Sequence, residues 1–145
     1  MRTLQRLKLT SVAVLALGAA ISAKCPTGSV TVHGRVGNLP STTTGVEATV
    51  VVESKNGTVS RTSPVSNGAF TVEVPFSTQS SSFLGTDRCH TVPTFVEVRI
   101  GSAGKVYVQK RLNFKDSFEM TKIYEYRLKQ ELSLEIPAET GNAAK

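Results

Sequence analysis

"AFTVEVPF", residues 69–76, sets the reading of the whole chain. Phe70, Val72, Val74 and Phe76 fall on one side of an extended backbone, with Thr71 and Glu73 on the other. Strict alternation of this kind is the pattern of a strand with one face buried and one face wet. The residues just before it, Ser66-Asn67-Gly68, form a turn signal, because Asn-Gly accepts the positive φ angles of a tight hairpin. The same grammar repeats outward in both directions. "SVTVHGRV" puts Val30, Val32 and Val36 on one face, with Gly34 in phase. "VEATVVVES" is β-branched, and "KNG" (Lys55–Gly57) turns it into "TVSRTSPV". Pro64 in that return strand cannot donate to a ladder, which assigns it to a sheet edge. Downstream, "TFVEVRI" alternates through Val96, Val98 and Ile100, "GSAG" turns, and "KVYVQKRLNF" comes back. Short strands at regular spacing predict an all-β sandwich or barrel.

Two regions interrupt the pattern. The segment Ser77 to Pro93 is a long loop rich in Ser and Thr. The segment "KDSFEMTKIYEYRLKQELSLEI" carries two periods at once. Met120, Tyr124, Leu128 and Leu132 are spaced for a helix, whereas Tyr124, Tyr126, Leu128, Leu132, Leu134 and Ile136 share one strand face, interrupted by Gln130. The alternation is favoured. It predicts one helical turn near Asp116 to Thr121 followed by a single long strand.

The N-terminus bears on location. Arg2, Arg6 and Lys8 precede an apolar run, Val12 to Ile21, and then small residues, so cleavage is expected after Ser22 or Ala23. The run is short for a membrane span. The expected layout is a signal peptide over 1–23, a β-sandwich domain over 24–136 and a disordered tail over 137–145. The full chain of 145 residues has a formal charge of +6; removing the three basic residues of the signal leaves fourteen against eleven, a net +3. Apart from "QKRLNFK" at Gln109 to Lys115 that charge is scattered, and it does not make the basic face that nucleic-acid binding requires. The chain is therefore expected to be exported, either periplasmic or extracellular, with no stable membrane span after cleavage.

The chemistry-bearing residues are few. Cys25 and Cys89 are the only cysteines, and in an oxidising compartment an even pair predicts a disulfide. It would close a loop of about 65 residues, which the chain-entropy view values at up to about 4 kcal/mol. Cys89 is followed by His90, but neighbours in an extended chain point apart, so a thiol–imidazole pair is not expected. His33 is the other histidine, on the strand face away from the valines and toward solvent. His33 and His90 are the only histidine candidates for a metal site, which needs three or four ligands; two surface histidines are the plainer reading. Carboxylates such as Glu73 and Glu97 fall on outward strand faces. Asn56-Gly57-Thr58 matches a glycosylation acceptor but also forms a hairpin turn. Tyr107 is expected to be exposed, and Tyr124 and Tyr126 buried.

"SVTVHGRVGNLPSTTTGVEATVVVES" followed by "SNGAFTVEVPF", with its Gly68-Ala69-Phe70, resembles the opening of transthyretin-like and carboxypeptidase regulatory-like domains. The likeness runs over about Val30 to Phe76, with a looser match to Phe114. It implies a seven-stranded, mostly antiparallel Greek-key β-sandwich, here with one short helical turn. Most such modules are noncatalytic. The family's hydrolase branch ends in Tyr-Arg-Gly-Ser, whereas this chain ends in "TGNAAK". Its dioxygenase branch uses a closely spaced histidine pair, which His33 and His90 do not match. The layout of signal, "CPTG", "GRV" and late cysteine also resembles small exported bacterial proteins. The expectation is a noncatalytic exported binding or structural module without cofactor, meeting a protein or envelope component through an exposed sandwich edge or the loop Ser77 to Pro93. Two alternatives are a small metal-dependent hydrolase using His33 and His90, and a ligand-binding oligomer of the transthyretin-like type.

Overall fold

β-branched residues on alternating positions close a valine-lined interior between two sheets. A computed structural model describes residues 25–40, 43–80 and 88–138. The expected signal over 1–23, residues 81–87 of the long loop and residues 139–145 of the expected tail lie outside the described residues. One sheet is built from β1 (Thr27–Gly37), β4 (Ala69–Ser77), β7 (Phe118–Lys122), β8 (Glu125–Leu128) and β9 (Leu132–Glu135), and the other from β2 (Glu47–Ser54), β3 (Gly57–Pro64), β5 (Phe95–Ser102) and β6 (Lys105–Asn113). The fold is an all-β sandwich of mostly antiparallel strands, with nine strands among the described residues where seven were expected.

The core is the sum of the alternating faces. Val30, Val32, Val50, Val74, Val96, Val98 and Ile100 are fully buried, with Val52, Val72, Phe70 and Phe76 nearly so. Each such side chain contributes about 1.5–3 kcal/mol relative to exposure. The outer faces are polar: Thr71 and Glu73 are exposed, as the period-two reading requires.

Pairing of β1 with β4 interlocks large and small residues. Val30 lies opposite Val74 and Val32 opposite Val72, while Gly28 faces Phe76 and Gly34 faces Phe70. A β-carbon at Gly34 would stand 2.6 Å from the Phe70 ring, and one at Gly28 would stand 2.6 Å from a Phe76 ring carbon. Glycine is thus present because two phenyl rings fill the space its side chain would take.

Turn chemistry follows the sequence at two of the three turns it predicts. Asn67 and Gly68 both adopt positive φ, with reciprocal bonds between Ser66 and Ala69. Ala103 and Gly104 do the same between β5 and β6. At the β2–β3 turn, however, Ser54 pairs with Gly57 and the positive φ falls on Gly57, not on Asn56. Pro64 ends β3, which is indeed an edge strand. On the other edge, Ile100 pairs with Val108 and Gly101 with Val106, so Tyr107 is an extra residue in β6. That bulge reverses the phase. It explains why Val106 is exposed and why Tyr107, expected outside, is half-buried against the core.

The C-terminal region departs furthest from expectation. The helical turn α1 covers Phe114–Ser117, two residues earlier than predicted, and Phe118 closes it by donating to the Phe114 carbonyl. It turns the corner from β6 in one sheet to β7 in the other. Phe114 and Phe118 stack at 5.2 Å, and Tyr126 meets Phe114 edge-on at 5.0 Å. Phe118 to Thr121 are strand, and Met120 is exposed, because pairing of Phe118 with Leu128 outweighs the helical spacing. The expected long strand is two pieces, β8 and β9. Tyr124 adopts positive φ at the tip of the β7–β8 hairpin, and the chain bends again at Lys129 and Gln130. β8 and β9 each pair with β1, in parallel, at different positions along it.

Replacing Gly28 with Ala is expected to lower unfolding free energy by about 1–3 kcal/mol in urea titrations, through forced displacement of Phe76. Gly37→Ala, whose new carbon would meet Glu135 at 3.4 Å, is expected to change it little. Burial, with a smaller push from Tyr124, raises the Tyr126 phenol above its ordinary range. A phenol that holds its proton more tightly when folded contributes stability that is present below pH ~10 and lost as pH rises through the folded value. Thermal melts across that range should show the loss in the native chain, and Tyr126→Phe should flatten it.

A cleft at the disulfide end of the sandwich

Cys25 and Cys89 are joined, with Cα atoms 5.4 Å apart across a sequence separation of 64. The bond ties the residue two before β1 to the return arm of the long loop. Around it the loop is laced by hydrogen bonds. Ser80 N–H donates to the Arg88 carbonyl at 2.6 Å, and Thr91 N–H donates to the Thr78 carbonyl at 3.0 Å. The Thr78 side chain is buried, and its hydroxyl donates to the Pro26 carbonyl at 2.6 Å. Thr91 Oγ1 donates to the Gln79 carbonyl at 2.8 Å, and His90 N–H donates to Ser80 Oγ at 3.2 Å. From the β2–β3 turn, Asn56 Nδ2 donates to the carbonyls of Ser77 and Gln79 at 3.2 and 2.6 Å. The side chain of the sequence's glycosylation motif is therefore engaged in holding the loop.

The loop then runs directly into β5. Thr94 N–H donates to the Glu53 carbonyl, and Phe114 N–H donates to the Thr94 carbonyl. Three strands of one sheet, β2, β5 and β6, thus end level, with Glu53, Phe95 and Asn113 in one row. Above that row lies a cleft of about 610 Å³. It is lined by Phe95 and Asn113 of that row, by Val92, Pro93 and Thr94 of the loop that leads into β5, and by Lys55 and Lys115. On the outer sheet face Arg111 lies 4.2 Å over the Phe95 ring and pairs with Glu53 at 2.8 Å. The Glu53 carboxylate is thereby neutralised beside the cleft.

The loop Ser77 to Pro93, one of the two places expected to carry recognition, contributes five of the lining residues: Ser80, His90, Thr91, Val92 and Pro93. The two histidines are not brought together. His33 lies mid-way along β1, opposite Thr71, half-buried where solvent exposure was expected, between the end of the β8 ladder and the start of the β9 ladder. His90 bonds to Ser80, beyond the opposite end of β1. Six residues of extended chain separate His33 from Thr27 at that end, on the order of 20 Å. No group of three or more His, Cys, Asp or Glu able to hold a metal occurs among the described residues. Lys115 ends the one basic run of the sequence, "QKRLNFK", but nothing in its context links it to Lys55. One lies in a hairpin turn and the other in a helical turn, and only strand register makes them neighbours. No family model, curated protein or solved structure matches the chain.

Replacing Cys25 and Cys89 together by Ser should lower the unfolding free energy, by up to about 4 kcal/mol on the chain-entropy view. Guanidinium titrations of the native and double-Ser chains provide the comparison.

Proposed function

We propose that the chain is a noncatalytic binding module, exported to an oxidising compartment, with the cleft above Phe95 as its recognition surface. The observation that carries this reading is the cleft's construction: a concavity of about 610 Å³ whose wall is tied covalently to the start of the sandwich. Its volume falls within the ordinary range for small-ligand sites, and loops held on a rigid scaffold are where recognition concentrates. The bonded cysteine pair and the basic-then-apolar N-terminus support export. The noncatalytic reading rests on how the polar groups are used. Ser80 and Thr91 hydroxyls contact each other at 3.1 Å and hold loop backbone, so they act as fasteners rather than nucleophiles. The Cys89 sulfur is bonded, and the distance between His33 and His90 works against the metal-hydrolase alternative. This role agrees with that of most transthyretin-like modules, which the first half of the sequence resembles.

Val92 is exposed at the cleft and has an apolar side chain that takes no part in the hydrogen-bonded lacing. The oxidised protein, immobilised and exposed to the extracellular or envelope fraction of its source, should retain a component that a Val92→Trp variant loses. The component should elute chemically unchanged. Equal retention by both proteins, or release of an altered molecule, would contradict the proposal.

A further inference from the structure

We infer that this cleft selects a small organic anion, one with an apolar body and a single negatively charged group. The inference rests on the binding role proposed above and specifies its ligand. Three observations carry it. No carboxylate lines the cleft among the described residues, while Lys55 and Lys115 both do. Neither lysine has an ion-pair partner among the described residues, whereas Arg35 pairs with Glu131, Arg99 with Glu97, Arg111 with Glu53 and Glu97, and Arg127 with Glu119. The acid beside the site, Glu53, is held by Arg111. A concavity bearing one sign of charge concentrates counter-ions, and its low-dielectric walls strengthen the field.

The rest of the lining specifies the body of the ligand. Phe95, Val92 and Pro93 supply the apolar lining, with the guanidinium of Arg111 4.2 Å over the Phe95 ring. Thr94 and Asn113 add polar groups at the same surface. Both lysines are exposed, so the charged end of a ligand that meets them lies toward solvent while its apolar part contacts Phe95. A carboxylate, sulfonate or phosphate monoester on an aromatic or short aliphatic body has this chemistry.

The test uses two fluorescent probes of nearly the same shape, 1-anilinonaphthalene-8-sulfonate and the uncharged N-phenyl-1-naphthylamine. Each is titrated against the oxidised protein, Val92→Trp, and the double variant Lys55→Gln/Lys115→Gln. The anionic probe should bind the native protein at one saturable site, lose affinity about tenfold in the double variant, and weaken with added salt, as exposed charge pairs do. The neutral probe should bind more weakly than the anionic one, and its binding should not respond to the lysine changes. Both lysines are exposed, so melting temperature should be unchanged; if it falls, the salt dependence of the native protein decides by itself. Equal binding of the two probes, or of the anion to native and double-variant protein, would overturn the anion assignment. If Val92→Trp still abolishes binding, the cleft remains a binding site. Binding untouched by Val92→Trp would remove the cleft and the anion together.

Discussion

Burial of the valine faces between the two sheets is the constraint from which the rest of the structure follows. β1 lies inside its sheet, with β4 on one side and β8 and β9 in succession on the other. Across the interior, Val50, Val52, Val96 and Val98 complete the packing. A shift of one residue in any central strand would turn these side chains outward and polar ones inward, so the hydrophobic effect fixes register as well as compactness. Edge strands are managed separately. β3 is almost wholly Ser, Thr, Arg and Pro, and β6 carries Lys110 opposite Val98, a charge in an inward register at an open edge. Such placements discourage strand addition.

The end of the sandwich that bears the cleft follows a different logic. There the loop is held by hydrogen bonds and one covalent bond. Thr78, Ser80, Thr91 and Asn56 each bind backbone, so the loop arms are held without a strand ladder. The Cys25–Cys89 bond secures the same region by shortening the loop available to the unfolded chain. The result is a defined surface at the point where the sheet ends, with lysines from two separate elements in its lining.

Much of this was legible from residue type and local order. The alternation in residues 69–76, the Asn67-Gly68 turn, Pro64 at an edge and the cysteine pair each depend on chemistry within a few residues, or on there being one partner to choose. The interlock of Gly28 and Gly34 with Phe76 and Phe70 was hidden, because it depends on which residues of β1 oppose which of β4. The bulge at Tyr107 was hidden for the same reason: a one-residue excess is visible only after pairing. Residues 114–136 misled the reading because a period of four and a period of two coincide at Tyr124, Leu128 and Leu132. Pairing of β7 with β8 and the bend at Lys129 decide between them. The cleft lysines are a register effect, joining positions 55 and 115 through the row Glu53, Phe95 and Asn113. Lysine in a turn gives no sign of that by itself.

The account holds that the valine interior stands by itself and that the bond between Cys25 and Cys89 keeps the cleft wall in place. Amide hydrogen exchange on the oxidised protein and on the reduced, alkylated protein measures both halves of that statement together. Reduction should speed exchange at Ser80, Thr91 and Thr94, whose donors hold the loop, more than at Val96, Val98 and Ile100 in β5, which stay the slower set. Unchanged protection at the loop amides, or exchange across β5 as fast as at the loop, would contradict it.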